Sequence, residues 1–269
     1  MLAKPVITLT TDFGDRDSFV GVMKGVILQT NPDATIVDIS HGIGSHDIRE
    51  AAFTIGMSYA YFPTNTIHMV VVDPGVGSER RPIIVRTDHY AFVGPDNGVF
   101  SYIYSLKHES LQVIHITAEH YFISAKGSTF HARDIFAPTA AYLSRGINIR
   151  NFGERINDYH KIPLPFPQKT ADNRIRGEVI LIDRFGNTIT NIKGSHIRAV
   201  CRGAPDCPLQ ILIKDMRVTI LDYYAQAADK GLYAVVNSSG YLELFVFRGN
   251  AAFEHTISIG DEVEISVPL

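Results

Sequence analysis

Short apolar runs rich in Val, Ile and Thr punctuate the first half of the chain. They cover residues 6–12, 35–40, 66–73, 82–88 and 111–117. Several of these runs are apolar almost throughout, which is typical of strands that are covered on both faces. The pattern therefore predicts a sheet whose two faces are both buried.

Apolar residues recur at helical spacing in three places between and after these strands. The first stretch, residues 17–31, begins with residues that favour helix caps and ends directly before a proline. Two further stretches lie at about 46–61 and 133–146. Strands alternating with helices are typical of α/β proteins. We therefore expect an α/β domain with a mostly parallel sheet at residues 1–157.

The pattern changes after Asn157. Three prolines alternate with other residues in 162–167, which disfavours a helix and predicts an extended linker at 158–174. The strand-like runs that follow are interrupted by Gly, Asn and Asp. These runs span residues 177–190, 209–221, 232–236, 241–247 and 256–267. They predict a smaller, mostly antiparallel β domain at 175–269.

Charge and hydropathy exclude two classes of partner. The 269 residues contain 25 Lys and Arg against 28 Asp and Glu, a net charge of -3, without a basic tract. This balance argues against binding to the phosphates of nucleic acids. No stretch approaches the roughly 18 apolar residues that a membrane-spanning helix needs. The sequence predicts no membrane span.

The N-terminus and the cysteines bear on the cellular compartment. The first residues lack the charged start, apolar stretch and cleavage site of a secretion signal, so we expect a cytoplasmic protein. Cys201 and Cys207 are the two cysteines, and their spacing suits neither a zinc site nor a disulfide framework. We interpret them as free structural thiols in a reducing compartment.

Polar residues follow three of the predicted strands, where ligands gather in sheets of this type. Asp12, Asp15 and Asp17 follow the first strand, and their carboxylates suit a divalent metal, a ribose diol or a cationic ligand. Aspartates are also common at helix starts, so capping is the alternative role. The other two segments are 71–81 and 94–98.

The glycine-rich segment 71–81 superficially resembles a phosphate loop. It lacks the lysine of a Walker loop and the third glycine of a dinucleotide fingerprint. A tight turn that directs Asp73 and Arg80 into one pocket is the better interpretation.

Histidines offer further candidates for chemistry. His131 precedes Asp134 by three residues, so the pair could share a helix face as a base or a metal ligand, or His131 could merely satisfy a helix end. His41 and His46-Asp47 form a rival metal set, although no HExxH spacing accompanies them.

Two turns of the β domain carry polar side chains. Residues 183–187 (DRFGN) and 237–240 (NSSG) are typical turn sequences. Asn and Asp at such positions can also recognise a base edge or an amino-acid zwitterion.

Taken together, several segments resemble the S-adenosylmethionine hydroxide adenosyltransferases, the hydrolytic relatives of the fluorinating and chlorinating enzymes. The resemblance runs in order over nearly the whole chain. It rests on residues 10–14 (TTDFG), 72–78 (VDPGVGS), 94–98 (GPDNG), 130–134 (FHARD), 183–191 and 237–242.

The resemblance implies cleavage of S-adenosylmethionine by water into adenosine and L-methionine, without a metal or redox cofactor. It implies that Asp73, Arg80 and His131 hold the water. Which of the three is the base stays open at this point. The resemblance also implies a homotrimer with sites between subunits.

Substrate contacts follow from the same resemblance. Asp12 is expected to hold the ribose hydroxyls, and Asp17 to lie on the methionine side. The remaining expected contacts are Asp183, Ser238 and Ser239 for the amino-acid group, and Phe185 and Asn187 for the adenine or its surroundings.

Residue 132 separates hydrolysis from halogenation. The halogenating relatives carry a serine in the halide pocket after an aromatic pair, whereas this chain has Ala132, which has no hydroxyl. Members of the hydrolytic family commonly carry glycine there, so the added methyl would narrow the pocket. Two alternatives are a metal-dependent phosphohydrolase using Asp12, Asp15, Asp73 and His131, and a non-catalytic sensor of S-adenosylmethionine or adenosine.

Overall fold

The computed structural model describes residues 4–124, 127–171, 173–204 and 207–268. The chain divides into two compact units, Met1–Pro163 and Leu164–Leu269.

The first unit is built on a seven-stranded sheet with the order β2-β1-β3-β5-β4-β6-β7. Its strands are β1 (Val6–Thr11), β2 (Thr35–Ser40), β3 (Ile67–Val71), β4 (Pro82–Arg86), β5 (Ala91–Pro95), β6 (Gln112–Ile116) and β7 (Gly153–Ile156). Strands β2, β1, β3 and β5 are parallel neighbours, whereas the pairings β5–β4, β4–β6 and β6–β7 are antiparallel.

The prediction of a mostly parallel sheet is confirmed only in part, because the sheet is mixed. Strands β4 and β5 are joined by a tight turn in which Thr87 and Tyr90 bond each other. So short a connection reverses the chain direction, whereas a parallel pair needs a crossover of a dozen or more residues.

Helices cover both faces of this sheet. They are α1 (Phe19–Thr30), α2 (Ile48–Ser58), α3 (Ser101–Ser105) and α4 (Ala137–Ser144), with a π-helical segment, Ala132–Phe136, directly before α4. Short 3₁₀ turns lie at Tyr59–Tyr61, Glu119–Tyr121 and Ile149–Phe152. Met69 and Val71 pack with α1 and α4, and Val70 packs with α2 and α3. Burial on both faces explains why every residue of β3 except His68 is apolar.

The second unit contains eight strands, seven of which form a closed barrel. Its strands are β8 (Gln168–Ala171), β9 (Arg174–Ile182), β10 (Thr188–Lys193), β11 (Gln210–Ile213), β12 (Met216–Leu221), β13 (Leu232–Val236), β14 (Tyr241–Val246) and β15 (Glu262–Ser266). The order is β10-β14-β13-β12-β11-β15-β9-β8, and pairing of β10 with β9 closes the barrel and leaves β8 outside it. All pairings except β12–β13 are antiparallel, which confirms the predicted strand arrangement.

Short helical segments complete the second unit. They are α5 (Gly194–Val200), α6 (Ala251–Glu254) and a 3₁₀ turn at Tyr224–Gln226. Among the described helices of the whole chain, none combines the length and the apolar character that crossing a membrane requires.

The interpretation of the cysteines as free thiols is wrong. Cys201 and Cys207 form a disulfide, with their Cα atoms 5.5 Å apart. The chain turns back after α5, where Gly203 has a positive φ and donates its N–H to the carbonyl of Arg198. A spacing of six residues does not reveal this reversal, which brings the two sulfurs within bonding distance.

His68 is an ionisable side chain in the core of the first unit. It is fully buried in β3, its Nδ1 lies 2.7 Å from Oγ1 of Thr8, and its ring stacks on Phe92 with centroids 5.1 Å apart. Among the described residues its Nε2 has no hydrogen-bond partner. Burial lowers the pKa of His68 from 6.5 to about 3. The imidazole is therefore neutral in the folded protein down to acid pH.

Acidification should therefore destabilise the first unit through His68. Because the folded pKa lies below the unfolded value, this stability is complete above pH 6.5 and is lost as the pH falls toward 3. Between pH 7 and pH 4 the loss is about 3 kcal/mol. Urea unfolding at both pH values should show a smaller loss for His68→Gln than for the wild type. The exposed-site control His89→Gln should behave like the wild type, and an unchanged pH dependence in His68→Gln would contradict this role.

Candidate active site

The carboxyl ends of β1 and β3 bring the first two candidate segments to one edge of the sheet. The two strands pair in parallel with Thr11 opposite Val71. Asp12 follows β1 directly and Asp73 lies two residues beyond β3. Both carboxylates therefore leave the sheet at the same edge, as expected for a ligand site in this kind of sheet.

Asp73, Arg80 and His131 form one hydrogen-bonded unit. Nε of Arg80 donates to both carboxylate oxygens of Asp73, at 2.9 and 3.0 Å, and Nη2 of Arg80 also donates to Oδ2. The same Nη2 lies 2.8 Å from Nδ1 of His131. The side chains of Arg80 and Asp73 are only 9% and 5% exposed. The ion pair is therefore held largely out of water, where charge-assisted hydrogen bonds are strong.

Arg80 determines the protonation pattern of His131. A guanidinium is a donor only, so Nδ1 of His131 must accept, and a neutral ring then carries its proton on Nε2. Burial and the charge of Arg80 lower the pKa of His131, although Asp73 and Asp134 oppose the shift. At neutral pH His131 is therefore a neutral imidazole with an N–H at Nε2.

One donor of Arg80 is left without a partner. Among the described residues, Nη1 of Arg80 is buried and makes no hydrogen bond. A buried guanidinium N–H without a partner is costly.

Ser78 and Gly77 determine the conformation of the loop from Asp73 to Arg80. Oγ of Ser78 donates to the carbonyl of Gly75 at 2.7 Å, which curls the loop. Gly77 has φ +80°, and a Cβ there would lie 2.8 Å from the carbonyl oxygen of Ser128. Only glycine fits this conformation and this approach. The close approach sets the loop against the segment that leads into His131.

Segment 94–98, the third candidate, holds the backbone directly before Asp73. Nδ2 of Asn97 donates to the carbonyl of Val72 at 2.8 Å, directly before Asp73. Asp96 accepts from Arg81 at 2.7 and 2.9 Å and from the backbone N–H of His160 at 2.7 Å. Arg80 and Arg81 thus have different partners although they are adjacent. The segment is a structural brace in this unit.

Asp12 is held by the loop that follows β2. Oδ2 of Asp12 accepts from the N–H of His46 at 2.9 Å. Oγ1 of Thr11 accepts from the N–H of Phe13 at 3.2 Å and lies 2.8 Å from Nδ1 of His41. Among the residues that the structure describes, Oδ1 of Asp12 has no hydrogen-bond partner and is therefore available to a ligand.

The rival metal set is not assembled. Asp47 caps α2 by accepting from the N–H of Glu50 at 2.9 Å, and His41 contacts Thr11. Within the described ranges, no three His, Cys, Asp or Glu side chains come close enough together to hold a metal ion.

Among the described residues, the remaining polar candidates of the first unit make no hydrogen bond to Asp73, Arg80 or His131. Asp134 binds the neighbouring Arg133 at 2.6 and 3.0 Å instead of His131. Asp15 and Asp17 are exposed ahead of α1, whose N-cap residue Ser18 makes no side-chain cap.

Apolar residues flank His131 in the sequence. Ala132 is 2% exposed and belongs to the core of the first unit, so its methyl group is packed among core residues. The rings of Phe13, Phe19 and Phe130 contact one another with centroids 5.3 to 6.1 Å apart. The Asp73–Arg80–His131 unit therefore has apolar neighbours as well as charged ones.

The second unit contains a cavity of about 420 Å³ at the turn after β9. Asp183, Phe185 and Asn187 line it together with Tyr224 and Phe245. Oδ1 of Asp183 accepts from the N–H groups of Phe185 and Asn187 at 2.8 and 2.9 Å, so the turn is held by its own aspartate. Three of the predicted contact residues thus share one cavity.

Ser238 and Ser239 lie elsewhere in the second unit. They are exposed at the tip of the β13–β14 hairpin, outside the lining of this cavity. Asn237 closes that turn, because its Oδ1 accepts from the N–H groups of Ser239 and Tyr241 at 3.0 and 3.1 Å.

Sequence reasoning missed several residues around this cavity. Tyr224 and Arg248 line it, and Glu243 accepts from the hydroxyl of Tyr224 at 2.7 Å. Glu243 had a detectable signal, since it is the one acid in the apolar run of 241–247. Tyr224 follows Asp222 and Tyr223 in a polar loop without a motif.

The chain matches two family models over most of its length. The model of the SAM hydroxide adenosyltransferase N-terminal domain matches residues 7–153, and that of the C-terminal domain matches residues 177–264. Both candidate regions described above fall within these matches.

Individual relatives cover nearly the full chain. The chain is 36% identical over 270 residues to the (R)-S-adenosyl-L-methionine hydrolase of Methanocaldococcus jannaschii, covering 97% of this chain and 95% of that protein. It is 25% identical over 294 residues to the fluorinase of Nocardia brasiliensis, covering 98% and 97%. A crystal structure of an uncharacterized conserved protein from Thermotoga maritima matches with a TM-score of 0.89 and 31% identity, covering 97% and 99%.

Gly77→Ala tests the close approach of the Asp73–Arg80 loop to Ser128. The positive φ and the 2.8 Å contact should together lower the free energy of unfolding by about 1–3 kcal/mol. Gly21→Ala is the control, because this exposed helical glycine has open space around it and should gain up to about 1 kcal/mol. Equal unfolding midpoints for the two variants in urea would contradict the proposed constraint.

Proposed function

The chain belongs to the SAM hydroxide adenosyltransferase family, and on that premise we propose that it hydrolyses S-adenosyl-L-methionine (SAM) to adenosine and L-methionine. The observation that carries the proposal is the buried hydrogen-bonded unit of Asp73, Arg80 and His131 at the carboxyl edge of the sheet. Water attacks the 5′ carbon of the adenosyl group. Its oxygen bonds to that carbon, and the electron pair of the C5′–S bond goes to sulfur.

The substrate itself lowers the demand on the protein. The sulfonium makes the 5′ carbon electrophilic, and methionine leaves as a neutral thioether without a general acid. The remaining task is to position one water molecule and to accept its proton. A small group of polar side chains in a fixed geometry is sufficient for that task.

We assign a different role to each member of the unit. Arg80 holds Asp73 and His131 in place through its Nε and Nη2 donors. His131 cannot be the base through Nε2, because that nitrogen carries the proton when Nδ1 accepts from Arg80. Asp73 keeps free lone pairs on its carboxylate after binding Arg80. Asp73 is therefore the proton acceptor, and His131 orients the water as a donor.

A carboxylate paired with arginine is basic enough for this step. Once the oxygen of water bonds to carbon, it carries positive charge and its proton becomes strongly acidic. Asp73 therefore has to accept the proton only as the new bond forms. The developing charge also keeps the Asp73 carboxylate favourable in the transition state.

The rest of the substrate is assigned to residues of both units. Asp12 holds the ribose hydroxyls through its free Oδ1, and Asp17 lies on the methionine side. Phe185 and Asn187 hold the adenine, and the amino-acid group binds Asp183 with Ser238 and Ser239. The proposal includes a homotrimer with sites between neighbouring copies, as the family resemblance implies. It also includes a cytoplasmic location.

Two observations favour water over halide as the nucleophile. Ala132 has no hydroxyl that could bind a halide, and its methyl group is buried. The chain is also more similar to the hydrolase of M. jannaschii, at 36% identity, than to the fluorinase of N. brasiliensis, at 25%. The intact Asp73–Arg80–His131 unit favours catalysis over mere sensing of SAM.

The direct test is incubation of chelator-treated protein with SAM in ¹⁸O-labelled water, with fluoride or chloride added in parallel samples. Adenosine labelled at its 5′ oxygen, together with methionine, is expected in every sample. A 5′-halogenated product would assign the chain to the halogenating branch. Activity that appears only after magnesium or manganese is restored would support the metal-dependent phosphohydrolase, and binding of SAM without turnover would support the sensor.

Substitutions separate the residues assigned to water from the residue assigned to ribose. Asp73→Ala, Arg80→Ala and His131→Ala should each lower kcat by about two or more orders of magnitude with the fold intact. Asp12→Ala should mainly raise KM, since Asp12 is assigned to the ribose. Steady-state kinetics with circular dichroism checks both. Near-normal kcat in the first three variants, or a large loss of kcat at unchanged KM in Asp12→Ala, would overturn these assignments.

A further inference from the structure

Glu243 is a buried carboxylate in the wall of the second unit. It lies in the middle of β14 and is 3% exposed. Within the described residues no lysine, arginine or histidine forms an ion pair with it. Burial of a carboxylate is unfavourable unless its charge is compensated. An unpaired buried acid therefore requires an explanation beyond packing.

The side chain of Glu243 lies on the cavity side of β14. Leu242 and Leu244 belong to the core inside the barrel, so their neighbour Glu243 points to the opposite face. Phe245, two residues further on, lies on that same face and lines the cavity of Asp183. Glu243 is therefore directed outward from the barrel core, toward the side on which the cavity lies.

Two neutral donors hold this carboxylate in place. The hydroxyl of Tyr224 donates to Oε1 at 2.7 Å, and Nδ2 of Asn237 donates to Oε2 at 2.9 Å. Tyr224 lines the cavity, and Asn237 closes the turn that carries Ser238. Glu243 thus links Tyr224 in the cavity wall to Asn237 in the hairpin, and both of these partners are neutral.

The charge is felt within the cavity wall. Burial, followed by the hydrogen bond and the charge of Glu243, raises the pKa of the Tyr224 hydroxyl, and the charge of Asp183 adds to the shift. The lining contains one arginine, Arg248, whose guanidinium lies over the ring of Phe247, 5.2 Å from its centroid. Glu243 and Asp183 therefore both contribute negative potential at this cavity.

We propose that Glu243 is a specificity-determining residue that favours a positively charged ligand through its charge, without touching the ligand. The inference rests on the proposed function, because SAM carries a sulfonium and an ammonium group. The side chain of Tyr224 separates the Glu243 carboxylate from the cavity. The negative charge still acts across this separation, because a partly buried site screens charge less than water does.

The effect should fall on binding and not on the chemical step. The sulfonium loses its charge during displacement, so a nearby negative charge stabilises the bound substrate more than the transition state. Glu243 should therefore lower KM for SAM without raising kcat. Its position behind Tyr224, away from direct contact, limits the cost to the transition state.

Glu243→Gln removes the charge with little change of shape. The amide oxygen can accept from Nδ2 of Asn237, and the amide N–H can donate to the hydroxyl of Tyr224. Glu264→Gln is the matched control, because Glu264 is an acid in another strand of the same barrel that pairs with Arg174 and Arg176.

The experiment compares three ligands by calorimetry: SAM, the uncharged thioether S-adenosyl-L-homocysteine, and adenosine. In Glu243→Gln the affinity for SAM should fall about tenfold, that for the thioether less, and that for adenosine less than twofold. KM for SAM should rise about tenfold, with kcat unchanged or raised. Glu264→Gln should match the wild type in every measurement.

Equal losses for all three ligands would mean that Glu243 only supports the shape of the cavity, and this result would overturn the proposal. Tyr224→Phe provides a second test that does not depend on the folding of Glu243→Gln. This variant keeps the charge, so its ratio of SAM to adenosine affinity should stay within about threefold of the wild type, and collapse of that ratio would also overturn the proposal.

The outcome for the proposed function is read separately. Formation of adenosine by the wild type with an unchanged ligand ratio in Glu243→Gln would remove this inference alone. Charge-dependent binding of SAM without turnover by the wild type would remove the hydrolase and keep the inference. Failure of the wild type to bind any of the three ligands would overturn both.

Discussion

The guanidinium of Arg80 is the group on which the candidate site depends. It donates to both oxygens of Asp73 and to Nδ1 of His131. Without it, Asp73 would be a buried carboxylate lacking its cation, and removal of one partner from a buried ion pair is strongly destabilising. The tautomer of His131 would also be undetermined. Arg80 thus both compensates the charge of Asp73 and determines the tautomer of His131.

The sheet and its loops bring these three residues together. Parallel pairing of β1 with β3 places Asp12 and Asp73 at one edge, and Asn97 holds the backbone before Asp73 from the neighbouring strand end. Gly77 then allows the loop to approach the carbonyl of Ser128, close to His131. His131, which is distant from Arg80 in the sequence, is thereby held within hydrogen-bond distance of Arg80. This rigidity is what positioning a single water molecule requires.

Much of this architecture could be predicted because local sequence patterns determine it. Strands such as β3 are largely apolar since both of their faces are buried, and the segments at strand ends carry recognisable motifs. Long-range pairing could not be read in the same way. The β4–β5 hairpin, the closure of β9 on β10 and the Cys201–Cys207 disulfide each depend on where the chain turns back in space. The bond between Tyr224 and Glu243 joins residues 19 positions apart and has no motif.

The most direct measurement of the central claim is the protonation state of His131. Nitrogen-15 NMR of histidine-labelled protein, with the His131 signals assigned by their loss in His131→Gln, reports the two ring nitrogens separately. If Arg80 organises the site, His131 at pH 7 should be neutral, with its proton on Nε2 and an unprotonated Nδ1. A protonated Nδ1, as the other neutral tautomer or as an imidazolium, would mean that Arg80 does not donate to His131 and would contradict the account.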